Sequence, residues 1–99
     1  MARLVVGKPP RGKAYPLDKP VVRIGRTDDA EIRLPNGEVS REHARVFQVG
    51  EDFFVEDLGS CNGTRVDGAR IGRHRLRPGE ELQIGPYTLQ FEADAPADA

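Results

Sequence analysis

Apolar residues in this chain fall in short runs that alternate with polar ones, and turn-forming residues separate the runs. Tyr87-Thr88-Leu89-Gln90-Phe91 alternates strictly, which predicts a strand with Tyr87, Leu89 and Phe91 facing a core and Thr88 and Gln90 facing out. Leu82-Gln83-Ile84 alternates as well, and Gly85-Pro86 between the two runs predicts a hairpin. Asp67-Gly68, set between Arg65-Val66 and Ala69-Arg70, is a two-residue hairpin signal, because both positions of such a turn favour residues that tolerate positive φ. Runs rich in β-branched and aromatic residues at Leu4–Val6, Val21–Ile24, Glu31–Leu34, Ala44–Val49 and Phe53–Leu58 predict further strands. Turn signals at Pro9–Gly12, Pro35-Asn36-Gly37, Gly50, Asn62-Gly63 and Pro78-Gly79 punctuate them. Strands this short and closely spaced predict an all-β sandwich or barrel.

One segment competes with that pattern. Val39, His43, Val46 and Phe47 are spaced like one face of a helix, with Ser40 able to cap it. Gly50 follows closely and the second half is rich in Val and Phe, so the segment is read as a loop carrying Ser40 that feeds a strand from about His43 to Val49. After Phe91 the chain has nothing to bury. The expected division is a domain over 1–92 and a flexible linker over 93–99, as in a domain taken from a longer protein.

Composition narrows the function. The chain has 99 residues, enough for one core. A single cysteine excludes an internal disulfide, and with two histidines it falls short of a four-ligand structural zinc site, so no metal or other cofactor is expected. Lysine plus arginine number 15 against 16 acidic residues, a net charge of −1, which argues against bulk nucleic-acid or membrane binding. The longest uncharged apolar stretch near the start, Leu4-Val5-Val6, is too short for a signal peptide or a spanning helix, and a cytoplasmic location is expected.

Three clusters carry groups suited to an anion: Gly25-Arg26, Ser40-Arg41-Glu42-His43, and Ser60-Cys61-Asn62-Gly63-Thr64. A guanidinium offers a planar fork of donors matched to phosphate, a hydroxyl adds a neutral donor, and an asparagine amide can grip a peptide main chain. Loops of a sandwich gather at its two ends, so clusters distant in sequence can meet at one apex.

The ordered series Ile24-Gly25-Arg26, Val39-Ser40-Arg41-Glu42-His43-Ala44, Asp57-Leu58-Gly59-Ser60-Cys61-Asn62-Gly63-Thr64, Val66-Asp67-Gly68 and Leu76–Gly85 resembles the forkhead-associated (FHA) domain family over about Val21 to Phe91. The resemblance implies a β-sandwich of about eleven short, mainly antiparallel strands. Its apical loops would bind phosphothreonine in an extended segment of a partner protein, downstream of a serine/threonine kinase and without catalysis. Carried over residue by residue, Arg26 and Ser40 would hold the phosphate, with Arg41 a candidate second cation. Asn62 would bond the peptide backbone. Gly25, His43 and Gly63 would shape the loops, His43 bracing them from within. Cys61 departs from the family, which often has threonine or another polar residue there. A thiol is a weak donor, so this contact would weaken or pass to a backbone N–H. Thr27 and Arg65 are further contact candidates.

Three other functions are weighed. Ser40 or Cys61 with His43 and Asp57 could form a hydrolase, but no nucleophile-elbow context accompanies them. The cationic stretch from Arg70 through Arg77 could face nucleic acid, yet Glu80 and Glu81 follow at once, and it is read as an ordinary charged hairpin region. The Cys61 departure leaves room for an interaction domain that no longer depends on phosphate.

Overall fold

The structure, a computed structural model, describes residues 2–7 and 12–93. The turn signal at Pro9–Arg11 and the expected tail beyond Ala93 lie outside the described residues. Eleven strands form two sheets. They are β1 (Ala2–Val6), β2 (Lys13–Pro16), β3 (Val21–Gly25), β4 (Ile32–Arg33), β5 (Ala44–Val49), β6 (Asp52–Asp57), β7 (Thr64–Val66), β8 (Ala69–Ile71), β9 (Arg73–Arg75), β10 (Glu81–Ile84) and β11 (Tyr87–Ala93). One sheet runs β2-β1-β11-β10-β7-β8 and the other β4-β3-β5-β6-β9. All recorded ladders are antiparallel except β3–β4, where Ile24 lies opposite Ile32.

The period of two places the core. Leu82 and Ile84 are buried while Gln83 is exposed, and Leu89 and Phe91 are buried on β11. The opposing sheet supplies Val22, Ile24, Val46 and Val55. Both anticipated hairpins form. Asp67 and Gly68 take positive φ of 49° and 88°, which closes β7 onto β8 with the twist that hairpins favour. Gly85, at φ 57°, precedes Pro86, so the residue that tolerates positive φ comes first and the one with a preset negative φ second. The helix-like spacing at 39–47 is not a helix: Val39 and His43 lie in a loop, and β5 sends Val46 inward and Phe47 outward.

Three features depart from the pattern in the sequence. Strand β2 was not anticipated; it is an edge strand paired to β1 alone, carries no apolar alternation and ends in proline. Ala93, grouped with the tail, is the last residue of β11 and sits opposite Ala2. The cationic stretch is not one hairpin region. Ala69–Ile71 belongs to one sheet and Arg73–Arg75 to the other, with the change at Gly72. Local periodicity holds no information about a change of sheet. On the second sheet the Arg73 guanidinium lies 5.1 Å from the Phe47 ring centroid and 5.4 Å from that of Phe54, where it is held by the aromatic faces. Among the described residues no helix is long and apolar enough to cross a membrane.

Leu82, fully buried at the centre of the six-stranded sheet, carries the interleaving of the two layers. Leu82→Ala is expected to cost about 2–5 kcal/mol, measured as the loss of unfolding free energy in urea with the slope unchanged.

Candidate functional site

The apex is built from the end of β3 outward. At Gly25 an added Cβ would stand 2.1 Å from the Arg41 carbonyl oxygen, so only glycine lets the loop joining β4 and β5 lie against β3. Backbone bonds then lace the two together. Leu34 N–H donates to Gly25 O at 2.8 Å, His43 N–H to Ile24 O at 3.0 Å, and Arg26 N–H to Ser40 O at 3.1 Å. The last bond makes Arg26 and Ser40 neighbours although fourteen positions separate them in the chain.

The buried imidazole of His43 joins this loop to the next. Its Nδ1 accepts the Ser40 N–H at 3.1 Å, which leaves the ring proton on Nε2 to be donated to Gly63 O at 2.9 Å. Two more bonds stitch the same loops. Cys61 N–H donates to Ser40 Oγ at 3.0 Å, and Asn62 Nδ2 donates to Glu38 O at 2.8 Å. Gly63 has φ 83°, the turn that brings its carbonyl under the imidazole.

Asp57 organises the loop between β6 and β7 from inside. Its carboxylate accepts the N–H groups of Gly59 and Ser60, both at 3.1 Å, and the hydroxyls of Ser60 and Thr64. Ser60 Oγ in turn accepts the Gly63 N–H at 3.0 Å. Burial pushes the Asp57 carboxyl up, but the two hydroxyls, with the N–H groups of Ser60 and Gly59, outweigh it and hold the group below the ordinary carboxylate value. The sequence places Asp57 in the family motif and offers it as a hydrolase component, and it places Ser60 and Thr64 in a cluster suited to an anion; their inward role in bracing the loop is not among those readings. An aspartate followed two and three residues later by Gly and Ser is an Asx-turn pattern, and that is the signal that marks it.

What remains free decides what the apex can do. Ser40 Oγ has accepted one bond and, among the described residues, donates none, so its proton points to no protein partner. Arg3, Arg23, Arg33, Arg45 and Arg75 each pair with a carboxylate. Arg26 and Arg41 have no such partner among the described residues, and Arg26 is half-buried while Arg41 is exposed. Thr27 lies in a turn closed by Ala30 N–H onto its carbonyl at 3.2 Å. Arg65 lines a cleft beside Asn62. The Cys61 thiol is exposed, and the Cys61 N–H is bonded to Ser40 Oγ. The hydrolase reading fails on geometry. Both ring nitrogens of His43 are spent on backbone groups, and its link to Ser40 runs through the main-chain nitrogen, not the hydroxyl.

The FHA domain model matches residues 22–85, most of the chain and every loop just described. The chain belongs to the FHA domain family. This FHA domain is 41% identical over 91 residues to the glycogen accumulation regulator GarA of Mycolicibacterium smegmatis, covering 91% of this chain and 58% of that protein. It is 40% identical over 94 residues to the oxoglutarate dehydrogenase inhibitor of Corynebacterium efficiens, covering 93% of this chain and 66% of that protein. The chain therefore spans about three-fifths to two-thirds of the length of these two relatives. Its fold superposes with TM-score 0.86 and 30% identity on the FhaA FHA domain, crystallised with the intracellular domain of another protein, covering 93% of this chain and 100% of that one. It also matches Mycobacterium tuberculosis EmbR in complex with a low-affinity phosphopeptide, at TM-score 0.85 and 31% identity, covering 96% of this chain and 25% of EmbR. Membership in this family marks the domain as an interaction module.

Because the folded Asp57 carboxyl titrates below its unfolded value, its stabilisation is fully present above the unfolded value, near 3.8, and is lost as pH falls through the folded one. Asp57→Asn is expected to cost at least about 2 kcal/mol at pH 7. The difference from wild type should shrink steadily in urea titrations carried out at successively lower pH below 4.

Proposed function

We propose that this domain captures phosphothreonine in an extended segment of a partner protein, and that a serine/threonine kinase, by writing that mark in the cytoplasm, decides when the partner is bound. The observation that carries the reading is the state of Arg26 and Ser40. They are joined backbone to backbone, and among the described residues the guanidinium of one has no carboxylate partner and the hydroxyl proton of the other no acceptor. A phosphothreonine brings a charge of about −1.5 to −2 and three acceptor oxygens, which suits a fork of donors with a neutral hydroxyl beside it.

In this reading Arg26 pairs with the phosphate, Ser40 donates its hydroxyl, and Arg41 adds a second cation from the exposed side. The Asn62 amide, oriented by its bond to Glu38 O, keeps its own carbonyl oxygen and one N–H for the peptide main chain. His43 and Gly63 hold the two loops in register, and Gly25 permits their approach to β3. Charge-assisted bonds contribute on the order of 1.5–3 kcal/mol each. Offset by the ordering of a flexible peptide, a few of them support micromolar affinity, about −8 kcal/mol. The likeness to a glycogen accumulation regulator and to an oxoglutarate dehydrogenase inhibitor supports a place in a regulatory protein whose effect on its target follows phosphorylation.

Arg26→Ala should weaken a phosphothreonine peptide by at least about tenfold in isothermal titration, with the thermal midpoint preserved. Equal binding of phosphorylated and unphosphorylated peptide by the wild type would defeat the assignment in favour of phosphate-independent docking. Affinity should also fall as pH drops through about 6, the second phosphate ionisation, because the guanidinium stays charged while the ligand loses charge. A flat titration between pH 5 and 7.5 would contradict charge capture.

A further inference from the structure

A second cationic feature borders the same apex. Arg65 on β7 and Arg70 on β8 are direct cross-strand partners, and both are exposed. Thr64 and Val66 on either side of Arg65 are buried, so the pleat turns both guanidiniums to the outer face of the six-stranded sheet. Like charges placed directly opposite on neighbouring strands destabilise the pairing. Neither arginine has a carboxylate within ion-pair distance among the described residues, whereas Arg3, Arg23, Arg45 and Arg75 on the two sheets do.

Their position relative to the phosphate loops is specific. Arg70 lies across Gly63, so that a Cβ on Gly63 would stand 2.6 Å from Arg70 Nε and 3.0 Å from its Cζ. Arg65 lines a cleft of about 350 Å³ whose walls include Glu38, Asn62, Gly63, Gln83 and Tyr87. The cleft adjoins the Ser40 side of the apex through Cys61, whose N–H bonds Ser40 Oγ, and through Asn62, the proposed grip on the peptide main chain. Glu38 is the one carboxylate on its walls, and it pairs with neither guanidinium.

We infer that Arg65 and Arg70 form a second anion subsite, which reads an acidic group carried by the bound peptide where it passes Asn62. That group is the carboxylate of an Asp or Glu, or a second phosphate on the same segment. The inference rests on the phosphothreonine reading and deepens it, because it names the flanking chemistry that the domain selects. An anion between the two guanidiniums relieves their mutual repulsion and gains charge-assisted bonds from both. It also explains why Gly63 is more than a turn residue: a side chain there would displace Arg70 from the rim.

The test uses fluorescence anisotropy with a phosphothreonine peptide in a neutral background. In one series an Asp, and in another a phosphoserine, is moved through each flanking position. Wild type, Arg26→Ala, the double variant Arg65→Gln/Arg70→Gln and its counterpart Arg65→Lys/Arg70→Lys are compared. At one flanking position the wild type should gain roughly tenfold in affinity from the added anion, about the effect of one charge-assisted pair. Within the glutamine double variant the ratio of affinities for the acidic-flank and neutral-flank peptides should fall to about one, and the lysine variant should keep part of the gain. A gain from phosphoserine alone identifies a second phosphate, and a gain from both identifies any anion; either supports the subsite. No gain at any position, or a gain that survives in the glutamine variant, overturns it. If the neutral-flank peptide fails to bind wild type, or binds Arg26→Ala equally well, the phosphothreonine reading falls first and the subsite with it.

Discussion

The apex depends on one imidazole. His43 has two ring nitrogens, and it commits both to main-chain groups of different loops, the Ser40 N–H on one side and the Gly63 carbonyl on the other. The ring is fully buried, so neither ring nitrogen has water to fall back on, and each left unsatisfied would cost about 1–3 kcal/mol. Because Arg26 is bonded to the carbonyl of the same Ser40, the imidazole also sets where the guanidinium stands relative to the loop that carries Asn62. A residue committed wholly to main-chain groups thus determines the spacing of the candidate ligand groups.

Around that bridge, the framework is assembled from backbone groups and neutral donors, together with one carboxylate turned inward. Asp57 gathers two hydroxyls and two N–H groups and so fixes the loop from Gly59 to Thr64 without drawing on any arginine. The distribution of charge follows. Exposed arginines on the flanks are neutralised by nearby carboxylates in pairs that contribute little to stability. Among the described residues Arg26, Arg41, Arg65 and Arg70 have no such partner at or beside the apex. In a chain of net charge −1, these unpaired cations come from how the ion pairs are distributed, not from an excess of positive charge.

The sandwich below keeps these loops still. Gly72 passes the chain from one sheet to the other, and the β9 strand that follows is seated by Arg73 over the Phe47 and Phe54 rings and by Arg75 on Asp52. The ladder between β5 and β6 extends from Val49–Asp52 up to Ala44–Asp57, so the residue next to His43 and the aspartate beneath the second loop are register partners. A shift of that register by one residue would turn the buried face of the displaced strand outward.

Much of this was legible from one-dimensional pattern. Strict alternation in Leu82–Ile84 and Tyr87–Phe91, and the turn chemistry of Asp67-Gly68 and Gly85-Pro86, determine strands and hairpins locally, because side-chain direction and φ preference are properties of neighbouring residues. The ordered motifs from Ile24-Gly25-Arg26 to Asn62-Gly63-Thr64 determine the family and, through it, the candidate ligand groups. Strand β2, the change of sheet at Gly72, the use of the Cys61 N–H by Ser40 and the organising part of Asp57 were decided only by the tertiary structure. Each depends on a partner distant in sequence or on competition between donors for one acceptor, and neither leaves a periodic trace. The same holds for the Arg65–Arg70 pair: the residues are visible in the chain, but their opposition across two strands exists only once the sheet has closed.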